Sequence, residues 1–244
     1  MQRYFIELSY NGSPYFGWQK QPNEISVQET IEIAIQTIYN NSSLSVVGCG
    51  RTDTGVHAKF FVLHVELPLK WSEEEITYKL NKILPESIAI LKTKAVDQHQ
   101  HARFSAIERT YRYFIHSKKD PFKTNKSLFH PTPLNLNLMN EACTYLLGQQ
   151  DFTSLSKLHT DVATNICNVS HCGWTQIDET NFYFEIIADR FLRNMVRASV
   201  GTLIEIGKEK IKPSDLKHIL AAKNRSKAKT SVSAHGLYLW NITY

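Results

Sequence analysis

Between Gly50 and Ala58 the chain reads Gly-Arg-Thr-Asp-Thr-Gly-Val-His-Ala, which puts a guanidinium, a carboxylate and an imidazole into nine residues framed by glycines. Gly50 and Gly55 free the backbone to turn sharply and let a ligand approach. Arg51, two residues before Asp53, is placed to hold the carboxylate ionised or to hold a substrate phosphate. Asp53 has a short stem, so the backbone sets its position, as a nucleophile or base requires. The competing reading is an Asx-turn in a tight connection. Spacing alone leaves both open. His57 invites a general-base role, but it reads better as a residue that holds the loop by hydrogen bonds.

Further candidates lie downstream. Arg190, Arg193 and Arg197 are spaced i, i+3 and i+7, so they share one face if a helix starts near Phe191, with Leu192, Met195, Val196, Ser199, Val200 and Leu203 on a buried face. Tyr111 and Tyr113 point the same way on a strand, each available for core packing or for stacking on a base. Cys167, His171 and Cys172 resemble metal ligands superficially, but no second close pair completes a set, so thiols packed along a strand are expected. The pair His99 and His101 is discounted as a metal site on the same ground. The four cysteines are expected to be free.

The elements that must position these groups are legible in outline. Strands are expected at Arg3–Tyr10, Ser45–Cys49, Phe60–Glu66, Ile88–Val96, Ile107–Ser117, Val169–Gln176, Phe182–Ala188 and Leu237–Tyr244. Ser26 with Glu29 and Ser72 with Glu75 read as capping boxes opening helices to about Tyr39 and Ile83. Helices are also expected from Leu138 to Leu147, from Phe191 to Ile206 and from near Pro213. Gly50–Val56 is then the loop between two strands. Mixed strands and helices without a Gly/Ser linker favour an α+β fold with a mostly antiparallel sheet over a doubly wound one. The two halves have similar element order, with a division near 104 (1–104 and 105–244), a shared sheet carrying helices, and a central cleft as the expected site geometry.

Composition is that of an ordinary soluble protein, 42% hydrophobic and 21% charged. No apolar run reaches the roughly 20 residues that span a bilayer, and the first residues alternate like a strand, so a cytoplasmic protein off the membrane is expected. The net charge of +5 is unevenly placed: residues 208–229 hold eight Lys or Arg against Glu209 and Asp215, and Lys118, Lys119, Lys123 and Lys126 cluster around Asp120. Two basic clusters on a near-neutral body fit a polyanion, nucleic acid being the commonest.

Seven ordered stretches carry a resemblance. They are Tyr10-Asn11-Gly12 through Phe16-Gly17-Trp18-Gln19; Gly50–Ala58; His101–Ala106; Arg109–Tyr113; Asp151–Ser154; Phe191–Arg197; and Ala234–Leu239. Together they resemble the TruA family of tRNA pseudouridine synthases. The resemblance implies that Asp53 is the nucleophile, with Arg51 beside it, that Tyr111 contacts the target base, and that the second half contributes Arg197. It implies a two-lobed fold, a homodimer gripping tRNA, no metal or organic cofactor, and substrates at positions 38, 39 and 40 of the anticodon stem-loop. The chain departs from the family pattern at Phe61 (commonly glutamine), Arg190 (glycine) and Asn165 (arginine). Attack of Asp53 on C1′, its addition to C6 and its action as a base all stay open. The rival class is a non-catalytic tRNA-binding protein or chaperone using the same basic surface.

Overall fold

The computed structural model describes residues 1–157 and 164–244. The chain divides into two compact units, residues 1–107 with 238–244, and residues 108–237.

The first unit contains β1 (Gln2–Tyr10), α1 (Val27–Tyr39), β2 (Val47–Gly48), β3 (His57–Leu67), α2 (Glu73–Ile83) and β4 (Ile88–Val96). β1 is central, antiparallel to β3 and β4, with Ile6 opposite Leu63 and Leu8 opposite Phe61. Alternate residues of a strand share a face. Tyr4, Ile6, Leu8 and Tyr10 are accordingly buried while their neighbours are half-exposed. The β2 strand pairs with β3, so the segment from Cys49 to Val56 is the connection leading into β3. At α1 the Ser26 side chain accepts from Glu29 N, and Asn40, in the left-handed region at φ 50°, closes the helix. At α2 Ser72 and Glu75 form the full reciprocal capping box.

The second unit contains β5 (Glu108–His116), β6 (Leu128–Phe129), α3 (Leu136–Cys143), β7 (Gly148–Asp151), β8 (Ile166–Gln176), β9 (Asn181–Ala188), α4 (Met195–Gly207) and α5 (Asp215–Ala221). Its strands run in the order β5-β9-β8-β7, all antiparallel, with β6 parallel to β5. α4 buries eleven of its thirteen residues, Leu203 and Ile206 among them. The last strand, β10 (Leu237–Thr243), brings Tyr238–Tyr244 into the first unit, where Tyr238 and Leu239 pair in parallel with His57 and Ala58 of β3. The architecture is α+β with mostly antiparallel pairing. Among the described residues no helix is long and apolar enough to cross a membrane.

The expected start of the helix after Phe191 is corrected. α4 begins at Met195, not near Phe191, because Asn194 sits at φ 68° and a left-handed residue cannot lie inside a right-handed helix. Arg190 and Arg193 therefore precede the helix, and the arginine stripe does not form. The strand expected at Ile88–Val96 is β4, and His99 and His101 lie beyond its end, His99 within a turn closed by Gln100 N donating to Asp97 O.

Candidate active site

The loop carrying Arg51 and Asp53 is held by the segment that follows β1. The Tyr10 hydroxyl is 2.9 Å from Thr52 Oγ1 in a buried pair, and Trp18 N donates to Thr52 O at 3.2 Å. Gly55 N donates to Tyr15 O, and Val56 N closes a turn onto Asp53 O at 3.1 Å. Gly12 and Gly17 make this contact sterically feasible. A Cβ on Gly12 would stand 2.0 Å from Val56 O, and one on Gly17, itself at φ +88°, would stand 2.5 Å from Thr52 O and 3.2 Å from the Asp53 carbonyl carbon. Gly55 uses its freedom at φ 77°, whereas Gly50 has open space where a Cβ would go. The glycine requirement thus falls on Gly12, Gly17 and Gly55.

The exit of the loop is fixed by His57, 2% exposed, whose Nδ1 accepts from Gly12 N at 3.1 Å. Its ring stacks on Tyr238, with centroids 4.5 Å apart and planes at 19°. A neutral imidazole accepting at Nδ1 carries its proton on Nε2. His57 therefore braces the loop between the first strand's exit and the last strand. Within this frame Asp53 is half-buried and Arg51 exposed. Tyr10, Gly12, Gly17 and Thr52 are working parts of the site that chemistry-bearing residue types do not reveal. For Gly12 and Gly17 the only mark in the sequence is their place within eight residues of a strand end, which does not say what they approach.

Tyr111 and Tyr113 project from β5 in the second unit. Tyr113 is fully buried; its hydroxyl donates to Ser233 O at 2.9 Å, and burial pushes its pKa up to about 12. Gly236 lies against its ring, where a Cβ would come within 2.7 Å of Cζ. Tyr111 is half-exposed, opposite Ile186 in the register, with its ring edge-on to Phe191 at 4.9 Å. Of the two, Tyr111 alone keeps an accessible face.

Arg197 stands in the first turn of α4. Its Nε donates to Val232 O at 2.9 Å, and Val232 N returns a bond to Arg197 O at 3.2 Å. Asn194 Nδ2 donates to Ser231 Oγ at 2.8 Å, and Gly201 admits Thr230 so closely that a Cβ would lie 2.0 Å from its carbonyl oxygen. Residues 230–233 are thus laid along the start of α4, and Tyr113 holds the same segment through Ser233. Of the four residues named from the sequence, Arg51 and Asp53 share the loop of the first unit, and Tyr111 and Arg197 belong to the second.

At the departures from the family pattern, Phe61 is buried and stacks on Trp18 at 4.0 Å. Asn165 donates to Thr153 Oγ1 at 2.8 Å, and Arg190 N donates to Asp189 Oδ1. Among the described residues no three His, Cys, Asp or Glu side chains converge to hold a metal, and Cys49, Cys143, Cys167 and Cys172 form no disulfide. The basic run 208–229 is partly neutralised within the chain: Lys208 and Lys210 pair with Glu205, and Lys223 pairs with Asp151.

A profile of the tRNA pseudouridine synthase family matches residues 8–105 and 142–244, and the chain belongs to that family. Its relatives carry a narrower name. Proteins called tRNA pseudouridine synthase A are 47% identical in Parabacteroides distasonis over 249 residues (100% of this chain, 96% of the relative). In Bacteroides fragilis the identity is 47% over 247 residues (100% and 97%), and in Bacillus subtilis 38% over 240 residues (97% of each).

Proposed function

We propose that this chain isomerises uridine to pseudouridine in the anticodon stem-loop of tRNA, at positions 38, 39 and 40, with Asp53 as the nucleophile. The observation that carries the proposal is the coincidence of two features. The family match runs over nearly the whole chain, and Asp53 is half-buried in a loop whose backbone is fixed at Thr52, Asp53, Gly55 and Val56. Such fixation is what preorganised catalysis asks of its scaffold.

The reaction breaks the N1–C1′ bond, turns the uracil and forms a C5–C1′ bond, releasing the C5 proton. No water enters, so one carboxylate suffices where glycoside hydrolysis needs two. Arg51 and Arg197 supply cations for the phosphates flanking the target, and Tyr111 offers its ring to the extruded uracil. Exposed lysines of the basic run, Lys212, Lys217 and Lys227, bind the tRNA backbone in a salt-sensitive manner. The enzyme acts in the cytoplasm as a homodimer.

The test uses unmodified tRNA tritiated at C5 of uridine. Wild-type protein releases tritium to water, and Asp53→Ala releases none while still binding tRNA. Absence of release from the wild type, with binding intact, would make the chain a non-catalytic tRNA-binding protein. Release by Asp53→Ala would keep the synthase and remove Asp53 as its nucleophile.

A further inference from the structure

Residues 118–126, Lys-Lys-Asp-Pro-Phe-Lys-Thr-Asn-Lys, join β5 to β6 and lie between the two stretches that the family profile matches. At their tip Phe122 is 87% exposed, the highest value of any large apolar side chain among the described residues. A lone exposed apolar side chain is common and decides nothing. The way this one is mounted and surrounded decides more.

The turn is built to hold its shape. Asp120 Oδ1 accepts from Phe122 N at 2.9 Å, and Pro121–Lys123 form a single 3₁₀ turn with proline at its start. Lys123 folds back, donating to Asn181 Oδ1 at 2.6 Å and pairing with Asp120 at 3.4 Å. Asn181 is in turn held by both carboxylate oxygens of Asp178, each at 2.8 Å. Ser127 anchors the far end on His116 Nδ1 at 3.0 Å. The segment's one acid is therefore engaged with Lys123, while Lys118, Lys119 and Lys126 stand exposed. The turn thus carries a strongly exposed aromatic side chain in a nine-residue segment with three exposed lysines.

That pairing selects its partner by chemistry. An unpaired base offers a π-face to the ring, and its phosphates meet the ammonium groups; an apolar protein groove gains nothing from the lysines. We propose that this turn is an accessory RNA contact, in which an unpaired base of the bound tRNA stacks on Phe122 and the adjoining phosphates bind Lys118 and Lys119. The inference rests on tRNA being the substrate, and it adds a recognition element separate from the loop of Asp53.

The test measures binding of a fluorescein-labelled, unmodified tRNA transcript by anisotropy, with full-length protein. Phe122→Leu keeps an apolar side chain but loses the π-face, and should bind about tenfold more weakly; Phe122→Trp should restore or tighten binding. Lys118→Gln with Lys119→Gln should lower the slope of log K against log salt by between about 1 and 2. At saturating tRNA, Phe122→Leu should release C5 tritium at the wild-type rate, because the turn holds tRNA without acting on the uracil. Wild-type affinity in Phe122→Leu overturns the proposal. So does a change in molar mass by light scattering with RNA affinity intact, since the face then serves a protein contact. Failure of the wild type to release tritium overturns the synthase reading and leaves the binding comparison to stand on its own.

Discussion

The α-carbon of Gly17 lies so close to the loop of Asp53 that a methyl group there would sit 3.2 Å from the Asp53 carbonyl carbon and 2.5 Å from Thr52 O. Gly17 is also at φ +88°, where an L side chain is strained whatever the space. Gly17→Ala should therefore cost on the order of 1–3 kcal/mol of stability. It should also displace Asp53, so turnover falls by more than tenfold while tRNA affinity stays near wild type. Thermal unfolding followed by circular dichroism, with tritium release and anisotropy on the same sample, checks both parts. Unchanged turnover in a folded Gly17→Ala protein would show that the loop does not depend on this contact.

How much of this site the sequence disclosed depends on the kind of information each residue carries. Asp53 and Arg51 were visible because chemistry-bearing types stood together between glycines, and the strands flanking them followed from alternation. Gly12 and Gly17 were visible only as parts of a familiar stretch: what they do is a close approach between segments distant in sequence, which no local pattern encodes. The helical register of Arg190, Arg193 and Arg197 misled because apolar periodicity runs back through Leu192, and only the left-handed Asn194 shows where the helix starts. β6 and β7 were missed for lack of length and apolar alternation, two residues in the first and Gly-Gln-Gln-Asp in the second. Tyr111 and Tyr113 were equivalent by alternation; only tertiary packing against Ser233 and Gly236 separates them.

His64 links stability to pH. Its Nδ1 accepts from Ala102 N at 3.1 Å, and burial, reinforced by His101 and Arg3 and opposed by Glu66, lowers its pKa from 6.5 to about 4. Between those values the unfolded chain binds a proton that the folded one refuses, so the contribution is fully present above pH 6.5 and is lost as pH falls toward 4. The urea midpoint should drop through this window. His64→Gln, whose amide oxygen can accept from Ala102, should flatten the drop. His101, His116, His130 and His235 are shifted the same way by burial, so some slope should remain in the variant. Identical slopes for the two proteins would remove His64 from the account.

Tyr113→Phe removes one buried donor. The Ser233 carbonyl that accepts from it at 2.9 Å holds the segment laid along α4. Leaving that carbonyl unpaired should cost about 1–3 kcal/mol, read as a lower urea midpoint with an unchanged slope. A midpoint equal to wild type would mean that the carbonyl finds another donor.

Arg197 separates anchoring from catalysis. Its planar fork offers five donors, of which Nε is committed to Val232 O. A lysine at this position has a single ammonium group, which can take the Val232 carbonyl or serve substrate phosphate but cannot reproduce both with fork geometry. If Arg197 acts on the reacting nucleotide, Arg197→Lys should lower turnover by roughly 10²-fold, the scale of losing one preorganised electrostatic contact. Its unfolding temperature should meanwhile move only a few degrees. If the arginine merely anchors residues 230–233, the order reverses: stability falls, and turnover per folded molecule stays at the wild-type rate. Tritium release normalised to the folded fraction distinguishes the two, and the proposed function requires the first.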